Sequence, residues 1–392
     1  MKQQTLEAWE KKYIPNGVEP FDQSREMYKR VIWEPELKEL KRKTFGLTMP
    51  KDRPGYRLAE MHLAYASWYL EMAFAQGVVG GKMGLYDWNA RPIGTRIPPK
   101  DLKLDFKNPQ QATRDIKKVS TFFGADLVGI CELDRRWLYS HSFHMLTKEH
   151  EPIEIPAEYK YAVVMAYEMD YDLEKFAPAQ LANAAIGMGY TRMAFTSGLV
   201  AQFIRGLGYK AIPCGNDTAR SIPFAMLAGV GELGRNGILI TPQFGPRVRL
   251  SKIFTDLPLV PDKPIEFGVT EFCNKCMKCA EACPSKAISY GEPNTKPYNM
   301  SNANLEVKWR INAEKCLAYF GANGADCSAC IRACPFNKHM NWFHKTSLWL
   351  VDHARFGDAY YRKMDDLLGY GKQEEADNFW VEWQPRTFGR SK

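Results

Sequence analysis

Residues 273–284 read CNKCMKCAEACP, and residues 327–335 read CSACIRACP. In the first stretch the cysteines are separated by two, two and three residues, and a proline follows the fourth cysteine directly. The second stretch repeats this pattern, except that ten residues separate its first cysteine, Cys316, from Cys327. Eight of the 10 cysteines of the chain therefore fall within 62 residues, which indicates a dedicated metal-binding segment.

The spacing C-x2-C-x2-C-x3-C-P is that of bacterial ferredoxins with two [4Fe–4S] clusters, in which the fourth cysteine of each run binds the other cluster. The sequence therefore predicts two crossed ligand sets. The first set is Cys273, Cys276, Cys279 and Cys334, and the second is Cys316, Cys327, Cys330 and Cys283.

Zinc and disulfides are the alternatives to this interpretation. Structural zinc sites combine one short cysteine pair with a distant second pair, which does not fit three cysteines at successive two-residue gaps. A disulfide framework is typical of small secreted domains and not of one segment in a chain of 392 residues. The isolated Cys131 and Cys214 are interpreted as small buried hydrophobic residues.

The composition is that of a folded globular protein. Hydrophobic residues make up 45% and charged residues 25% of the chain, which excludes a disordered protein. The net charge is +8, and basic and acidic residues are mixed along the chain, so no nucleic-acid partner is expected. Residues 1–13 contain neither an apolar core nor a twin arginine, which predicts either a cytoplasmic protein or a mature form from which a leader was removed.

The pattern of elements predicts an α/β fold with a ferredoxin-like domain after it. We expect one helix over residues 57–76 and another over 190–206. Strands are expected over 125–131, 161–167, 209–213 and 237–241, with a short helix over 221–228. The predicted units are an N-terminal helical and loop region (1–109), an α/β core (110–256), a two-[4Fe–4S] domain (257–345) and a C-terminal helical tail (346–392).

The stretch Gly229–Gly234 matches the glycine pattern G-x-G-x-x-G of dinucleotide-binding sites. Such a site needs a strand before the glycines and a helix after them. Here a helix is expected before the glycines and a strand after them, so the sequence argues against a nicotinamide site.

Several short segments, in order and in spacing to the cysteines, resemble the corrinoid-dependent reductive dehalogenases. These segments are PCGNDT (213–218), GELGRNGILIT (231–241), FGPRVRL (244–250), TDLPL (255–259), FGVTEFC (267–273) and CPFNK (334–338). The resemblance runs from about residue 110 to the end of the second cysteine run. It implies a nitroreductase-like α/β core that binds a cobalamin-type corrinoid in its base-off form, fed with electrons by the two [4Fe–4S] clusters.

The resemblance also implies roles for individual residues. It makes Tyr190 the proton donor, Asn216 its hydrogen-bonding partner and Arg249 the cation that stabilises the phenolate and lowers the pKa of the tyrosine. The residues expected to meet the corrinoid are Gly234, Arg235, Asn236, Gly237, Phe244, Gly245, Pro246 and Arg247. The residues expected to line a pocket for a small organohalide are Trp88, Ile186 and Phe320.

The resemblance further implies a low-potential electron donor and, for a respiratory enzyme, a membrane-anchor protein on the outer face of the cytoplasmic membrane. Two other interpretations stay open from the sequence. One is an epoxyqueuosine reductase, a corrinoid and iron–sulfur enzyme that acts on tRNA. The other is a ferredoxin-type electron carrier that has a large docking domain and no corrinoid.

Overall fold

The computed structural model describes residues 1–46, 48–92, 102–303, 305–354 and 357–381. The strands are β1 (Lys2–Gln3), β2 (Leu127–Glu132), β3 (His141–Phe143), β4 (His150–Pro152), β5 (Tyr161–Glu168), β6 (Ala211–Cys214), β7 (Glu232–Leu233), β8 (Leu239–Ile240), β9 (Val248–Thr255) and β10 (Ile265–Glu266).

The α-helices fall before, within and after the strand-rich part. They are α1 (Leu6–Tyr13), α2 (Met27–Trp33), α3 (Lys38–Phe45), α4 (Leu58–Ser67), α5 (Pro109–Phe122), α6 (Tyr171–Glu174), α7 (Gln180–Gly206), α8 (Ser221–Leu227), α9 (Val269–Lys275), α10 (Lys278–Ala282), α11 (Ala313–Asn323), α12 (Ala329–Arg332), α13 (Trp342–His353), α14 (Asp358–Leu367) and α15 (Asp377–Val381).

The core of the fold is a four-stranded sheet in the order β2-β5-β9-β6, and each neighbouring pair in it is antiparallel. Successive side chains of a strand point to opposite faces. In β5, Val163 and Met165 therefore pack with α5 and α7, whereas Ala162 and Val164 pack on the other face with α8 and α1. This arrangement confirms the predicted α/β layer sandwich.

The largest difference from the expected elements is the strand β9, which the sequence pattern did not predict. It reads VRLSKIFT and pairs along its full length with β5. The alternation of buried apolar residues is interrupted by Arg249, Ser251 and Lys252, and this hides the strand signal. The long helix also begins earlier than predicted, because α7 starts at Gln180 and not near Tyr190.

The helix predicted over residues 57–76 is interrupted. Its α-helical part ends at Ser67, and a π-helix follows over Glu71–Ala75. The hydroxyl of Thr191 donates a hydrogen bond of 2.6 Å to the carbonyl oxygen of Ser67, and buried Glu71 accepts one of 2.9 Å from the backbone N–H of Val78. These bonds hold the chain away from the straight helical path that the apolar spacing predicts.

The segments outside the sheet pack around it and around the cysteines. The helices α9 to α12 carry the cysteine runs, and α2 and α3 contact α11. At the end of the chain, α14 contacts α9, and residues 382–392 of the predicted helical tail lie outside the described residues. Among the described helices, none has the length and apolar character needed to cross a bilayer.

The stretch Gly229–Gly234 follows α8 and contains β7, the first strand of the β7–β8 hairpin. A helix thus precedes the glycines and the strand β8 follows them, as the sequence predicted. The arrangement lacks the strand–turn–helix order that a dinucleotide site requires.

Gly129 of β2 marks the closest approach of α8 to the sheet. A Cβ atom at this position would lie 2.2 Å from the carbonyl oxygen of Ala228 and 2.9 Å from its Cβ. We expect Gly129→Ala to push α8 from the sheet and to lower the free energy of unfolding by about 1–3 kcal/mol. Denaturant unfolding of the anaerobically prepared holoprotein measures this change.

The matched control is Gly206→Ala at the end of α7, where an added Cβ meets no atom within 4 Å. Its effect on the free energy of unfolding is expected to stay within about 1 kcal/mol. Equal effects of the two substitutions would contradict the packing of α8 described above.

Candidate active site

A cavity of about 1210 Å³ lies between α7, the loop after β6, the N-terminal region and the cysteine-bearing segment. Its walls include Tyr190, Asn216, Tyr28 and Cys330. Pockets for drug-sized ligands measure roughly 300–1,000 Å³. The cavity therefore has room for a larger organic group together with a small substrate.

The three residues expected to act in catalysis come together at this cavity. Tyr190 is on α7, Asn216 follows β6 and Arg249 is on β9. The side-chain amide of Asn216 donates a hydrogen bond of 3.0 Å to the hydroxyl oxygen of Tyr190. The guanidinium carbon of Arg249 lies 5.0 Å from the centre of the Tyr190 ring. The phenol thus has a neutral donor at its oxygen and a cation beside its ring.

Two glycines of α7 make room for the neighbours of Tyr190. A Cβ at Gly189 would lie 2.8 Å from Cγ of Arg249, and one at Gly187 would lie 2.5 Å from the indole of Trp68. The indole of Trp68 stacks on the Tyr190 ring with the ring centres 4.6 Å apart. The sequence GMGY therefore lets both neighbours contact the tyrosine at close range.

The pKa of Tyr190 is raised above its ordinary value. Burial is the largest cause, and the nearby Asp326 and Glu71 add to it. Arg249 and the hydrogen bond from Asn216 lower the pKa but do not outweigh burial. Arg249 thus acts on the pKa of Tyr190 in the expected direction, and burial makes the net shift upward. The phenol stays protonated at neutral pH.

The buried lysine Lys252 holds the loop that carries Asn216 in place. The Lys252 ammonium, on β9, donates hydrogen bonds to the carbonyl oxygen of Gly215 at 2.5 Å and to the Ser221 hydroxyl at 3.1 Å. Gln23 donates a further hydrogen bond of 3.1 Å to the carbonyl oxygen of Asn216. The position of the amide at the phenol thus depends on two residues outside the predicted catalytic set.

The contacts of the clustered cysteines form two groups, and the crossed ligand sets stay a prediction. Cys273, Cys276 and Cys334 share one apolar cluster, and Cys283 packs with Cys316 and Cys330 in another. Cys279 lies between the groups: it packs with Cys283, and the charges of Cys334, Cys273 and Cys276 contribute to its raised pKa. The sulfurs at the wall of the cavity belong to the second set: Cys283, Cys316, Cys327 and Cys330.

The spacing of the sulfurs does not fit single zinc ions. Among the described residues, which include all ten cysteines, no three cysteine sulfurs lie within 4.8 Å of one another. Sulfur ligands of one tetrahedral zinc stand only about 3.8 Å apart. Burial raises the thiol pKa to about 12 for Cys273 and to about 12 for Cys316. Such thiols become thiolates only when a cationic group binds them.

Only two of the residues expected to meet the corrinoid, Asn236 and Gly237, line the cavity. The six others do not: Gly234, Arg235, Phe244, Gly245, Pro246 and Arg247. Arg235 instead donates hydrogen bonds to the carbonyl oxygens of Cys273 at 2.9 Å and Ser289 at 2.8 Å. This corrects the expectation for Arg235, because its guanidinium is engaged with the backbone of the cluster segment.

Arg247 likewise forms hydrogen bonds with other parts of the chain and does not line the cavity. It is 1% exposed and donates to the carbonyl oxygen of Met169 at 3.0 Å and to the side chains of Asn337 and Glu168, each at 2.5 Å. Gly245, at a φ of 56°, approaches the backbone of Phe336 so closely that a Cβ would lie 2.2 Å from its oxygen. The segment from Phe244 to Arg247 therefore binds the second cysteine run and not the cavity.

The predicted substrate pocket is partly supported by the structure. Ile186 and Phe320 line the cavity, whereas Trp88 does not. Trp88 packs against the apolar core on the α8 face of the sheet, and the Lys82 ammonium lies 4.6 Å from the centre of its ring. The prediction for Trp88 is wrong because core packing accounts for this aromatic residue.

Among the cavity residues that sequence reasoning missed are Trp68, Tyr28 and Asp326. Asp326 accepts a hydrogen bond of 3.4 Å from the Tyr28 hydroxyl, and its burial raises its pKa. The sequence could have indicated Asp326, because this residue directly precedes the predicted cluster ligand Cys327. Trp68 gave no such indication, because its helical spacing fits an ordinary core residue.

The cavity fits a corrinoid in size and in chemistry. Its wall combines aromatic and aliphatic side chains with the polar ends of Asn236, Asn216 and Arg249, as a large amphipathic ring requires. Gly237 lies in the wall with a φ of 71° and brings backbone to the cavity without a side chain. Within the described part of the chain, no histidine contributes to this wall.

Comparisons with known proteins agree with this site. Residues 272–338 match the 4Fe–4S dicluster domain, and residues 147–259 match the reductive dehalogenase subunit model. The tetrachloroethene reductive dehalogenase of Sulfurospirillum multivorans is 39% identical over 315 residues, which covers 74% of this chain and 62% of the relative. The chain thus spans about three fifths of that relative's length. The epoxyqueuosine reductase of Bacillus cereus is 31% identical over 132 residues, or 30% of this chain and 29% of that protein.

The solved structures agree as well. A reductive dehalogenase structure described as suggesting a mechanism for B12-dependent dehalogenation superposes with a TM-score of 0.70 at 26% identity, covering 92% of this chain and 48% of the other. The residues matched by the dehalogenase model include Tyr190, Asn216 and Arg249, and the dicluster match includes both cysteine runs. The chain that carries this phenol and these cysteines on one cavity is thus similar to the reductive dehalogenases over most of its length.

Proposed function

We propose that this protein reductively dehalogenates a small organohalide in the cavity, with Tyr190 as the proton donor. The observation that carries the proposal is the composition of the cavity wall. It combines the sulfurs of Cys283 and Cys330, which belong to the predicted second cluster, with the phenol of Tyr190. An electron source and a proton source thus adjoin the same space.

The overall reaction consumes two electrons and one proton: the carbon–halogen bond breaks, halide leaves and a carbon–hydrogen bond forms. A corrinoid bound base-off supplies the low-potential cobalt at which the carbon–halogen bond is reduced.

The residues of the chain provide the proton and control its transfer. The Tyr190 hydroxyl gives its proton to the carbon fragment, and the raised pKa keeps that proton in place until it is needed. Arg249 stabilises the phenolate that results, and the Asn216 amide holds the oxygen by its hydrogen bond of 3.0 Å. A proton from solvent then restores the phenol.

The cysteines of the second set would hold the cluster next to the cavity, and those of the first set would hold the more distant one. Together the two clusters would supply single electrons to the site. The sulfurs of the second set line the cavity, and those of the first set do not. Clusters of this type reach potentials of about −400 mV and below. A low-potential donor is therefore required, and a membrane-anchor partner with catalysis on the outer face of the membrane belongs to the same proposal.

Tetrachloroethene is the first substrate to test, because the relative described above acts on it. The anaerobically prepared holoprotein, supplied with reduced viologen, is expected to release chloride. Tyr190→Phe is expected to lower turnover by about 10²-fold or more while the cobalt and iron contents stay unchanged, since general-acid catalysis contributes about 10²–10⁴-fold.

The matched control is Tyr65→Phe, which removes the hydroxyl of another tyrosine in the cavity wall and is expected to leave turnover unchanged. Chloride release by Tyr190→Phe at the wild-type rate would remove Tyr190 from the mechanism. If no organohalide of a broad panel reacts while epoxyqueuosine in tRNA is reduced, the proposed function is wrong and the epoxyqueuosine reductase interpretation takes its place.

A second prediction concerns the cation beside the phenol. Arg249→Gln removes the charge, so turnover is expected to fall by about tenfold or more, which corresponds to about 1.4 kcal/mol of lost transition-state stabilisation. Arg249→Lys keeps the charge but loses the planar fork, and we expect an intermediate rate. Because the pKa of Tyr190 is raised, the wild-type rate should not fall on the alkaline side until above about pH 10.

Steady-state kinetics over pH, with corrinoid content measured for each variant, provide the test. A wild-type rate that declines well below pH 10 through one group absent from Tyr190→Phe would show that the phenol ionises early. That result would contradict the raised pKa of Tyr190. Full activity in Arg249→Gln would contradict the role given to Arg249.

The crossed ligand sets predict which substitutions affect the same cluster. Cys276→Ser and Cys334→Ser should alter one reduced-cluster EPR signal, and Cys283→Ser and Cys316→Ser should alter the other. The control Cys131→Ser is expected to keep about eight iron atoms per chain, because that sulfur is not a predicted cluster ligand. If Cys283→Ser altered the signal affected by Cys276→Ser, the crossed assignment would be wrong.

A further inference from the structure

Three potential metal ligands meet on the surface, at the β3–β4 hairpin. Nε2 of His150 lies 2.9 Å from Oδ2 of Asp22, and Nδ1 of His141 lies 3.9 Å from the same oxygen. Among the described residues, this is the only group of three histidine, cysteine or carboxylate ligand atoms within 4.8 Å of one another. None of the three residues lines the large cavity.

The distances suit a tetrahedral transition-metal ion. Ligands bound at 2.0–2.1 Å to one tetrahedral zinc stand about 3.4 Å apart. The observed separations of 2.9 and 3.9 Å bracket this value, so shifts of about half an ångström bring the atoms into place. Two imidazoles and one carboxylate form a donor set typical of zinc and its neighbours.

The backbone fixes the three ligands with respect to one another. His141 and His150 are on paired antiparallel strands, and their rings lie with centres 5.0 Å apart. Asp22 is positioned by a hydrogen bond of 2.8 Å that its carboxylate accepts from the backbone N–H of Ser24. The three side chains are about 26–42% exposed. An ion can therefore reach them from solvent, and a water molecule has room to bind as a further ligand.

We propose that Asp22, His141 and His150 bind one divalent transition-metal ion of the zinc class, at a site separate from the corrinoid cavity and from both cysteine runs. The ion would join the N-terminal segment to the β3–β4 hairpin. Ordinary ion pairing of Asp22 with His150 needs no metal, and it is the alternative that the experiment must separate from this proposal.

The site lies next to the support of Asn216. Gln23, the neighbour of Asp22, is 1% exposed; it accepts a hydrogen bond of 3.0 Å from the backbone N–H of Phe143 and donates one of 3.1 Å to the carbonyl oxygen of Asn216. Phe143 is the cross-strand partner of His150. A metal between Asp22 and His150 would therefore stiffen the contact that positions Asn216. This consequence rests on the proposed function, whereas metal binding itself does not.

The test uses the anaerobic holoprotein with its full iron content, so that the cluster cysteines are not free to bind zinc. Equilibrium dialysis against Zn²⁺ in excess Mg²⁺ is expected to leave about one zinc per chain. Zinc K-edge X-ray absorption should then show only nitrogen and oxygen ligands at about 2.0–2.1 Å and no sulfur at about 2.3 Å.

His150→Ala and Asp22→Asn are expected to weaken zinc binding by about tenfold or more, since even residues that only orient a ligand contribute 10–100-fold. Asp22→Asn keeps a side-chain oxygen that can accept from Ser24, so the local turn is preserved. The control His62→Ala changes an exposed histidine on α4 and should bind zinc like the wild type.

Three results would overturn the proposal. The first is absence of bound zinc in the wild type, which leaves only an ion pair of Asp22 with His150. The second is equal zinc binding by the wild type, His150→Ala and Asp22→Asn. The third is sulfur coordination in the absorption spectrum. Each of these outcomes is measured without turnover, so none depends on whether the protein dehalogenates.

Discussion

The geometry of the site depends on two buried arginines that join the sheet to the cysteine-bearing segment. Arg247 is 1% exposed and bonds Met169, Glu168 and Asn337, and Arg235, equally buried, bonds the carbonyl oxygen of Cys273. Burying a guanidinium is costly and its hydrogen bonds offset that cost, so removing a partner is expected to cost several kcal/mol. In Arg235, Nη2 has no partner among the described residues, whereas Nε and Nη1 are paired. The two parts of the chain are therefore held in one arrangement, and the distance from the sulfurs to the phenol is fixed with it.

The cysteine spacing and the layer architecture could be read from the sequence because each has a simple local signal. The strand β9 could not, although it lies in the middle of the sheet. Arg249 and Lys252 occupy positions where an apolar residue is expected, and both are tolerated there for a specific reason. Arg249 reaches the cavity, whereas Lys252 pairs with the carbonyl oxygen of Gly215 at 2.5 Å. The strand was missed because it carries residues of the site.

The corrections at Arg235, Arg247 and Trp88 have a common origin. A glycine next to an arginine suits either a bound cofactor or a close contact between two chain segments, and the sequence contains no information on which carbonyl oxygen will face the guanidinium. The same holds for an isolated tryptophan, which packs equally well in a pocket or in a core. By contrast, Tyr190, Asn216 and Arg249 were found because the resemblance specified them together, and the fold brings together residues from three separate elements.

The surroundings of Tyr190 suit a group that must be neutral before proton transfer and anionic after it. Burial raises the pKa and keeps the phenol protonated, but burial alone would make the phenolate too costly to form. Arg249 offsets that cost, and its Nε has no hydrogen-bond partner among the described residues. The same charge also lowers the pKa values of the buried carboxyls of Glu174 and Asp326. Because Gly189 leaves no Cβ between Tyr190 and Arg249, the cation would already be in place for the proposed proton transfer, with no rearrangement needed. The balance between burial and a preplaced charge explains why the tyrosine has an arginine and not a second neutral donor beside it.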